Sequence, residues 1–201
     1  YYGPDLSETH MILGDILKTI TLNPALSIKE LNKSITLNPN NAEAYLFLAY
    51  IQSELGRFNE AEVNLLKAQQ LDPLSNLSRG AWVNYYRYSR NAKKLNEYMR
   101  LQPALLREAF ANGTKRYYYF LKDDYDSILI SGNSLREPAL TGISYVKTGK
   151  PEKARKMVDS LKALSSHDHA FEIGIIYAWL DEKQKAMEYL NLAYRLHDYN
   201  L

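Results

Sequence analysis

The chain repeats itself at a spacing of about 34 residues, and that period restricts it to stacked helical hairpins more than any other feature does. Leu71-Asp72-Pro73 sets its proline 34 residues after that of Ile35-Thr36-Leu37-Asn38-Pro39, and Ile20-Thr21-Leu22-Asn23-Pro24 is an earlier copy of that pentapeptide. Between Pro39 and Pro73 two stretches carry apolar residues at helical spacing. Tyr45, Leu48, Ala49 and Ile51 mark the first, and Ala61, Leu65, Ala68 and Leu71 the second. Asn40 and Asn41 are placed to cap the first helix, because their side-chain oxygens accept from amides left unpaired at its start. Gly56 ends that helix, since glycine enters the left-handed conformation without steric cost. Ala61 and Ala68 are small where the helices cross, and a larger side chain there would force them apart. Pro73 reads as the start of the next unit, where its missing N–H costs nothing.

With 201 residues the chain has room for about six such units. Their expected bounds are 5–39, 40–73, 74–103, 104–136, 137–164 and 165–201. In the first, His10, Leu13, Gly14 and Leu17 repeat the first helix, and Leu31, Ser34, Leu37 and Pro39 the second, across a turn about one residue longer. The third reads as a shortened hairpin with Trp82 and Ala92, closed by Pro103. The fourth is the least regular, with helices expected over 105–121 and 124–134. Gly142, Tyr145, Gly149, Ala154, Val158 and Leu161 restore the pattern, and Gly174, Tyr177, Ala186, Leu190 and Ala193 complete it. The expected fold is therefore all-α, a solenoid of about six helix-turn-helix hairpins.

Residues 40–73 resemble the tetratricopeptide repeat at Tyr45, Leu48, Ala49, Gly56, Phe58, Ala61, Leu65, Ala68 and Pro73, with Gln52 where the family has an aromatic. The resemblance implies a right-handed superhelix whose first helices line a concave face and hold a peptide or helix of a partner protein. The positions it turns inward are Glu43, Leu46, Tyr50 and Ser53 in the second unit, and Asp168, Phe171, Ile175 and Ala178 in the sixth. In the third unit, allowing for a shortened turn, they are Trp82 and Tyr85, with Arg79 adjacent. The chaperone-tail version of the fold clamps a carboxylate with Lys and Asn, where this chain has Met11, Asp15, Leu46 and Tyr50, which argues against that adaptor role. A looser likeness, in Leu71–Ser75 with Trp82 and in Leu190–Tyr194, is to repeat tails of bacterial winged-helix transcription regulators and nucleotide cyclases. It implies the alternative of a regulatory or sensory tail that binds an effector.

Composition removes other classes. The longest apolar runs, Ala44–Ile51 and Ile173–Leu180, are eight residues each, against about 20 needed to span a bilayer. Tyr1-Tyr2-Gly3-Pro4 is neither basic nor followed by an apolar stretch, so no leader is expected and the chain reads as cytoplasmic. The absence of an initiator Met predicts a fragment of a longer protein. With no cysteine, disulfides and thiolate metal sites are excluded. No phosphate loop, dinucleotide fingerprint or nucleophile elbow is present. His167-Asp168-His169 places its histidines on different sides of a helix, and Ser165–Asp168 reads as the capped start of the last hairpin. Asp123, Asp124 and Asp126 suit a helix start. No catalytic residue, metal or cofactor is expected, and the chain reads as a scaffold, not an enzyme.

The net charge of +2 hides an asymmetry. From Arg79 to Lys122 ten basic residues face two acids, Glu97 and Glu108, and tyrosines crowd between them. Tyr and Trp offer stiff contact area with a polar tip, and Arg adds directional hydrogen bonds. The candidate partner-binding residues are Tyr50, Arg79, Trp82, Tyr85, Tyr86, Arg116 and Tyr117. The expected partner is an acidic or amphipathic protein or peptide segment. Single-stranded nucleic acid also suits cations among aromatics, but no recognition motif supports it. Tyrosines at helical spacing also serve as ordinary core, and the two readings stay open at this point.

Overall fold

The computed structural model describes residues 6–101, 108–132 and 137–196. Among these the chain is all-α, with twelve helices and no strand. It forms two compact units, Tyr1–Arg107 and Glu108–Leu201. The first contains α1 (Ser7–Thr19), α2 (Pro24–Leu37), α3 (Ala42–Glu54), α4 (Phe58–Leu71), α5 (Asn76–Tyr88) and α6 (Ala92–Leu101). The second contains α7 (Glu108–Leu121), α8 (Tyr125–Ile130), α9 (Pro138–Lys147), α10 (Pro151–Ser165), α11 (Ala170–Trp179) and α12 (Lys183–Leu196). Consecutive helices pair into hairpins, and within the first unit α3 packs on α1 and α2 while α5 packs on α3 and α4. No helix among the described residues is long and apolar enough to cross a membrane.

One turn motif builds the hairpins. After α3, the Arg57 amide donates to the Gln52 carbonyl (2.8 Å) and the Gly56 amide to that of Ser53 (3.1 Å), with Gly56 at φ +74°. This pair of bonds satisfies helix carbonyls that would otherwise be orphaned. The same two bonds recur after α5, α7, α9 and α11, made by Arg90 and Asn91, Asp123 and Asp124, Gly149 and Lys150, and Asp181 and Glu182. Each first-named residue is left-handed, and only Gly149 among them is a glycine. After α1 the reach is one residue longer, from the Asn23 amide to the Leu17 carbonyl, as the sequence spacing predicted. Leu22 takes the left-handed position there, at φ +52°.

Several local expectations change. Pro73 does not begin a helix. In Asn38–Asn41 and Asp72–Ser75 the proline is second in a β-turn, which its fixed φ favours. Asn38 and Asp72 accept from the amides two residues on, and Asn41 and Ser75 cap α3 and α5. The two Ile-Thr-Leu-Asn-Pro copies do not share a structure: Pro24 opens α2 behind its cap Asn23, whereas Ile35–Leu37 ends α2. The third hairpin is not shortened, because Arg90 stands 34 residues after Gly56 in the same turn. Pro103 and residues 105–107 and 133–134 of the expected fourth-unit helices lie outside the described residues. The described parts, Glu108–Leu121 and Tyr125–Ile130, keep the expected pairing, and Asp124 caps α8. Ser165 ends α10, and its hydroxyl accepts from the Asp168 amide (3.2 Å). The last hairpin instead starts at Ala170 without a side-chain cap.

The core follows the crossings. Ala61 and Ala68 are fully buried between α3 and α4 with Leu65, beneath Trp82 and Tyr85. Gln52, in place of an aromatic, is buried and hydrogen-bonded to Asn64 (2.8 Å) and Glu60 (3.3 Å) of α4. In the second unit Ala154, Val158, Leu161, Ile173 and Ile176 form the corresponding core. A methyl on Gly142 would come within 2.5 Å of Ile176 Cγ1, so only glycine allows that approach of α9 to α11.

Candidate functional site

The first unit positions a polar and aromatic row along its first helices. Lys18 of α1 stands 3.9 Å from the centre of the Tyr50 ring of α3 and 3.2 Å from Glu54 Oε1. Tyr50 meets Tyr88 of α5 edge to face, with ring centres 6.3 Å apart. The Tyr88 hydroxyl donates to Glu54 Oε1 (3.2 Å). Burial, then the neighbouring Tyr50 and Glu54, push the Tyr88 phenol well above its ordinary range. Lys18, Tyr50, Glu54 and Tyr88 thus form a chain of contacts across three helices. At its α1 end a cleft of about 140 Å³ opens between α1 and α3, lined by Asp15, Lys18, Phe47, Tyr50 and Ile51. On α5, Gly80 faces open space.

The sequence-derived residues divide between the two units. Tyr50 lines the cleft. Arg79 is half-buried and bonds to Asn76 Oδ1 and the Leu74 carbonyl. Trp82 and Tyr85 are 6% and 9% exposed, in the core between α4 and α5 rather than on the inward face. The correction has a simple cause: with a full-length turn, Trp82 and Tyr85 stand one period after Leu48 and Ile51, which pack on the preceding hairpin. The Trp82 indole N–H donates to Gln69 Oε1 (3.1 Å), and its ring lies nearly parallel to half-buried Tyr86. Tyr86 is pushed up to about 12, first by burial and then by Tyr98, Glu62, Tyr85 and Glu97. Burial, then Glu62, raises Tyr85 as well, and burial raises Tyr98 against the lowering charge of Arg79.

Arg116 and Tyr117 belong to the second unit. Arg116 is 3% exposed, donating to Thr141 Oγ1 (2.6 Å) and lying 3.6 Å from Glu137. Burial lowers its pKa and Glu137 opposes that. It ties α7 to the start of α9. Tyr117 is half-buried against Phe120. Elsewhere in this unit Lys147 lies 4.8 Å from the Trp179 ring centre, and Lys162 donates to the Tyr177 hydroxyl (2.8 Å), which raises the lysine's pKa. Among the described residues no cluster of three or more His, Asp or Glu is arranged to hold a metal ion.

Sequence reasoning missed Lys18, Phe47, Glu54 and Tyr88. A usable signal was present: Glu54 and Tyr88 are 34 residues apart, and residues one period apart stand side by side on stacked first helices.

Hairpins joined by a recurring turn motif, with α1 on α3 and α3 on α5 in the first unit and α9 on α11 in the second, define an all-α hairpin-repeat chain. The comparisons specify the repeat. Residues 30–63 match the tetratricopeptide repeat family. A stretch of 64 residues, 32% of the chain, is 42% identical to part of tetratricopeptide repeat protein 13 of Homo sapiens, and spans 7% of that protein's length. Within the chain, residues 30–63 are thus identified with a tetratricopeptide repeat.

Proposed function

We propose that the first unit binds a segment of a partner protein along the face formed by α1, α3 and α5. The observation that carries this reading is the cleft between α1 and α3, lined by Phe47, Tyr50 and Ile51 and rimmed by Asp15 and Lys18. It gives an apolar anchor a place to enter beside groups that accept and donate hydrogen bonds, as ligand sites require. Tyr50 and Tyr88 extend the contact surface toward α5, where Gly80 leaves room for a main chain to approach. Repeats of the family that residues 30–63 match generally mediate protein–protein contact, which supports a role in binding.

The partner's charge is read from the third hairpin. Arg79, Arg87, Arg90, Lys93, Lys94 and Arg100 belong to it, and Glu97 is the sole acid between Arg79 and Arg100. An amphipathic segment with one apolar anchor and several carboxylates suits this combination. Trp82 supports the surface from beneath by holding α5 on α4.

Selection of random peptides of about 15 residues displayed on phage tests the reading. Acidic sequences with an aliphatic or aromatic anchor are expected to be enriched. Tyr50→Ala should weaken the selected peptides by tenfold or more, since a central anchor is worth about 2 kcal/mol. Raising salt from about 0.1 to 1 M, which shortens the screening length from roughly 10 to 3 Å, should slow association. Selected peptides indifferent to Tyr50→Ala, or a set without acidic bias, would overturn the site and the partner chemistry respectively.

A further inference from the structure

Charge in the first unit is divided along its row of first helices. α1 and α3 carry Glu8, Asp15, Glu43 and Glu54 against Lys18, their one Lys or Arg. α5 carries Arg79 and Arg87 and no acid, and α6 adds Lys93, Lys94 and Arg100 against Glu97. Carboxylates of a bound segment suit the basic half. The cleft lies in the other half, between α1 and α3.

Pairing sharpens the division. Lys18 is engaged, 3.2 Å from Glu54 Oε1 and 3.9 Å from the Tyr50 ring centre. Asp15 stands on the same rim, half-buried, and among the described residues its carboxylate has neither an ion pair nor a hydrogen bond. Glu8 and Glu43, exposed on the same two helices, are likewise unpaired among the described residues. The charge left over at the mouth of the cleft is therefore negative, while its walls are Phe47, Tyr50 and Ile51. An aliphatic stem with a positive head satisfies both, since lysine and arginine lay their stems on apolar surface and keep the charge at its edge. A purely apolar anchor would take water from Asp15 without pairing it, and an acidic anchor would add a like charge. Either costs free energy and so selects against that occupant.

We infer that the anchor of the bound segment is a lysine or arginine of the partner protein, its stem in the cleft and its charge on Asp15. The carboxylates follow along the groove, over the third hairpin. This rests on the cleft being a peptide site and names the chemistry that it selects: a segment of opposed charges rather than a uniformly acidic one. Packed helices lie roughly 10 Å apart, which puts α5 on the order of 15 Å from a cleft between α1 and α3, about four residues of extended chain. Opposed charges also fix which way round the segment lies. Reversed, it would set carboxylates on Asp15 and its cation on Arg79 and Arg87, a like-charge arrangement at both ends.

The test uses peptides selected on the whole chain as probes, with affinity read by fluorescence anisotropy. Enriched peptides should share one Lys or Arg about four residues from a group of carboxylates, the extended-chain interval. Replacing that residue by norleucine keeps an unbranched aliphatic stem and removes the charge. The change should weaken binding about fivefold, the upper end for a partly exposed ion pair. Asp15→Asn should weaken the parent peptide by the same factor and leave the norleucine peptide unaffected, because both changes remove one pair. Asp15→Lys, with helicity checked by circular dichroism, should reject the parent peptide and accept one with Glu at the anchor. Independent, multiplying losses from Asp15→Asn and norleucine overturn the cation in the cleft, as do enriched peptides with no basic residue at that interval. If Tyr50→Ala still weakens those peptides, the peptide site stands without the cation. Indifference to Tyr50→Ala, or a selection that enriches nothing, overturns both.

Discussion

The first and second hairpins have the same geometry but different chemistry at the crossing. In the second, Ala61 and Ala68 are buried methyls under an apolar layer. In the first, Ser27 and Ser34 occupy the equivalent places and are equally buried. The Ser27 hydroxyl donates to the Gly14 carbonyl, and the Ser7 and Ser34 hydroxyls lie 3.0 Å apart, with the Asn41 amide donating to Ser7 (2.9 Å). The crossing therefore demands small volume and tolerates polarity, provided each hydroxyl finds a partner. The other difference is burial. Leu48 and Leu13 hold the same position in their helices, yet one is buried and the other is not, because only α3 has a hairpin in front of it.

The largest expected effect carries the comparison to the third hairpin, where Trp82 holds the position of Leu48. Trp82→Ala should cost about 3–5 kcal/mol of unfolding free energy, the range for deleting a buried aromatic. A denaturant titration showing little loss would place Trp82 outside the core. Next, Leu48→Ala should cost about 2–5 kcal/mol and Leu13→Ala less than about 1, as for exposed changes generally. Equal midpoint shifts for the two would end the argument that stacking, not helix position, buries this residue. Third, Ala61→Leu should destabilise by roughly 1–3 kcal/mol through overpacking. Ser27→Ala should cost about 1 kcal/mol through one lost hydrogen bond. If Ser27→Ala instead stabilised the chain, the polar crossing would be a burden rather than an alternative.

The smallest effect is alkaline and distinguishes the third hairpin from the first two. Tyr85, Tyr86 and Tyr98 all titrate above the usual phenol value of 10.0, Tyr86 at about 12. An unfolded tyrosine ionises near its ordinary value, so the unfolded chain gains protection first as pH rises. The contribution of these groups to stability is complete below pH 10 and declines as pH approaches about 12. Tyr86→Phe should flatten the stability profile over that window while leaving pH 7 stability little changed. Tyrosinate absorbance with thermal unfolding reads both, and an identical alkaline slope would exclude Tyr86 as its source.

Much of the second hairpin was legible because its signals are local. Asn41 caps α3 and Gly56 turns left-handed for reasons contained within a few residues. Arg90, Asp123 and Asp181 adopt the same left-handed turn without advertising it. A non-glycine residue accepts that conformation only where the surrounding packing holds it, so propensity alone could not place these turns. That hidden turn is why the third hairpin read as shortened, and why Trp82 and Tyr85 were assigned to the inward face. Of the residues that line the cleft, Tyr50 stands at a helix position the repeat spacing points to, whereas Lys18 and Tyr88 meet around Tyr50 and Glu54 only once three first helices are stacked.

Sequence by itself determined the helical hairpins, their period and the small residues at their crossings, since helix spacing, capping and side-chain volume act over one turn or one contact. It did not determine what two identical pentapeptides become. Ile20–Pro24 crosses a left-handed turn and opens α2, while Ile35–Pro39 finishes that helix and bends into the next repeat. Nor did it distinguish Leu13 from Leu48, both apolar at the same helical position. Five residues carry too little local preference to outweigh the packing on either side, and burial depends on which hairpin stands next to the side chain. Both were decided by tertiary structure.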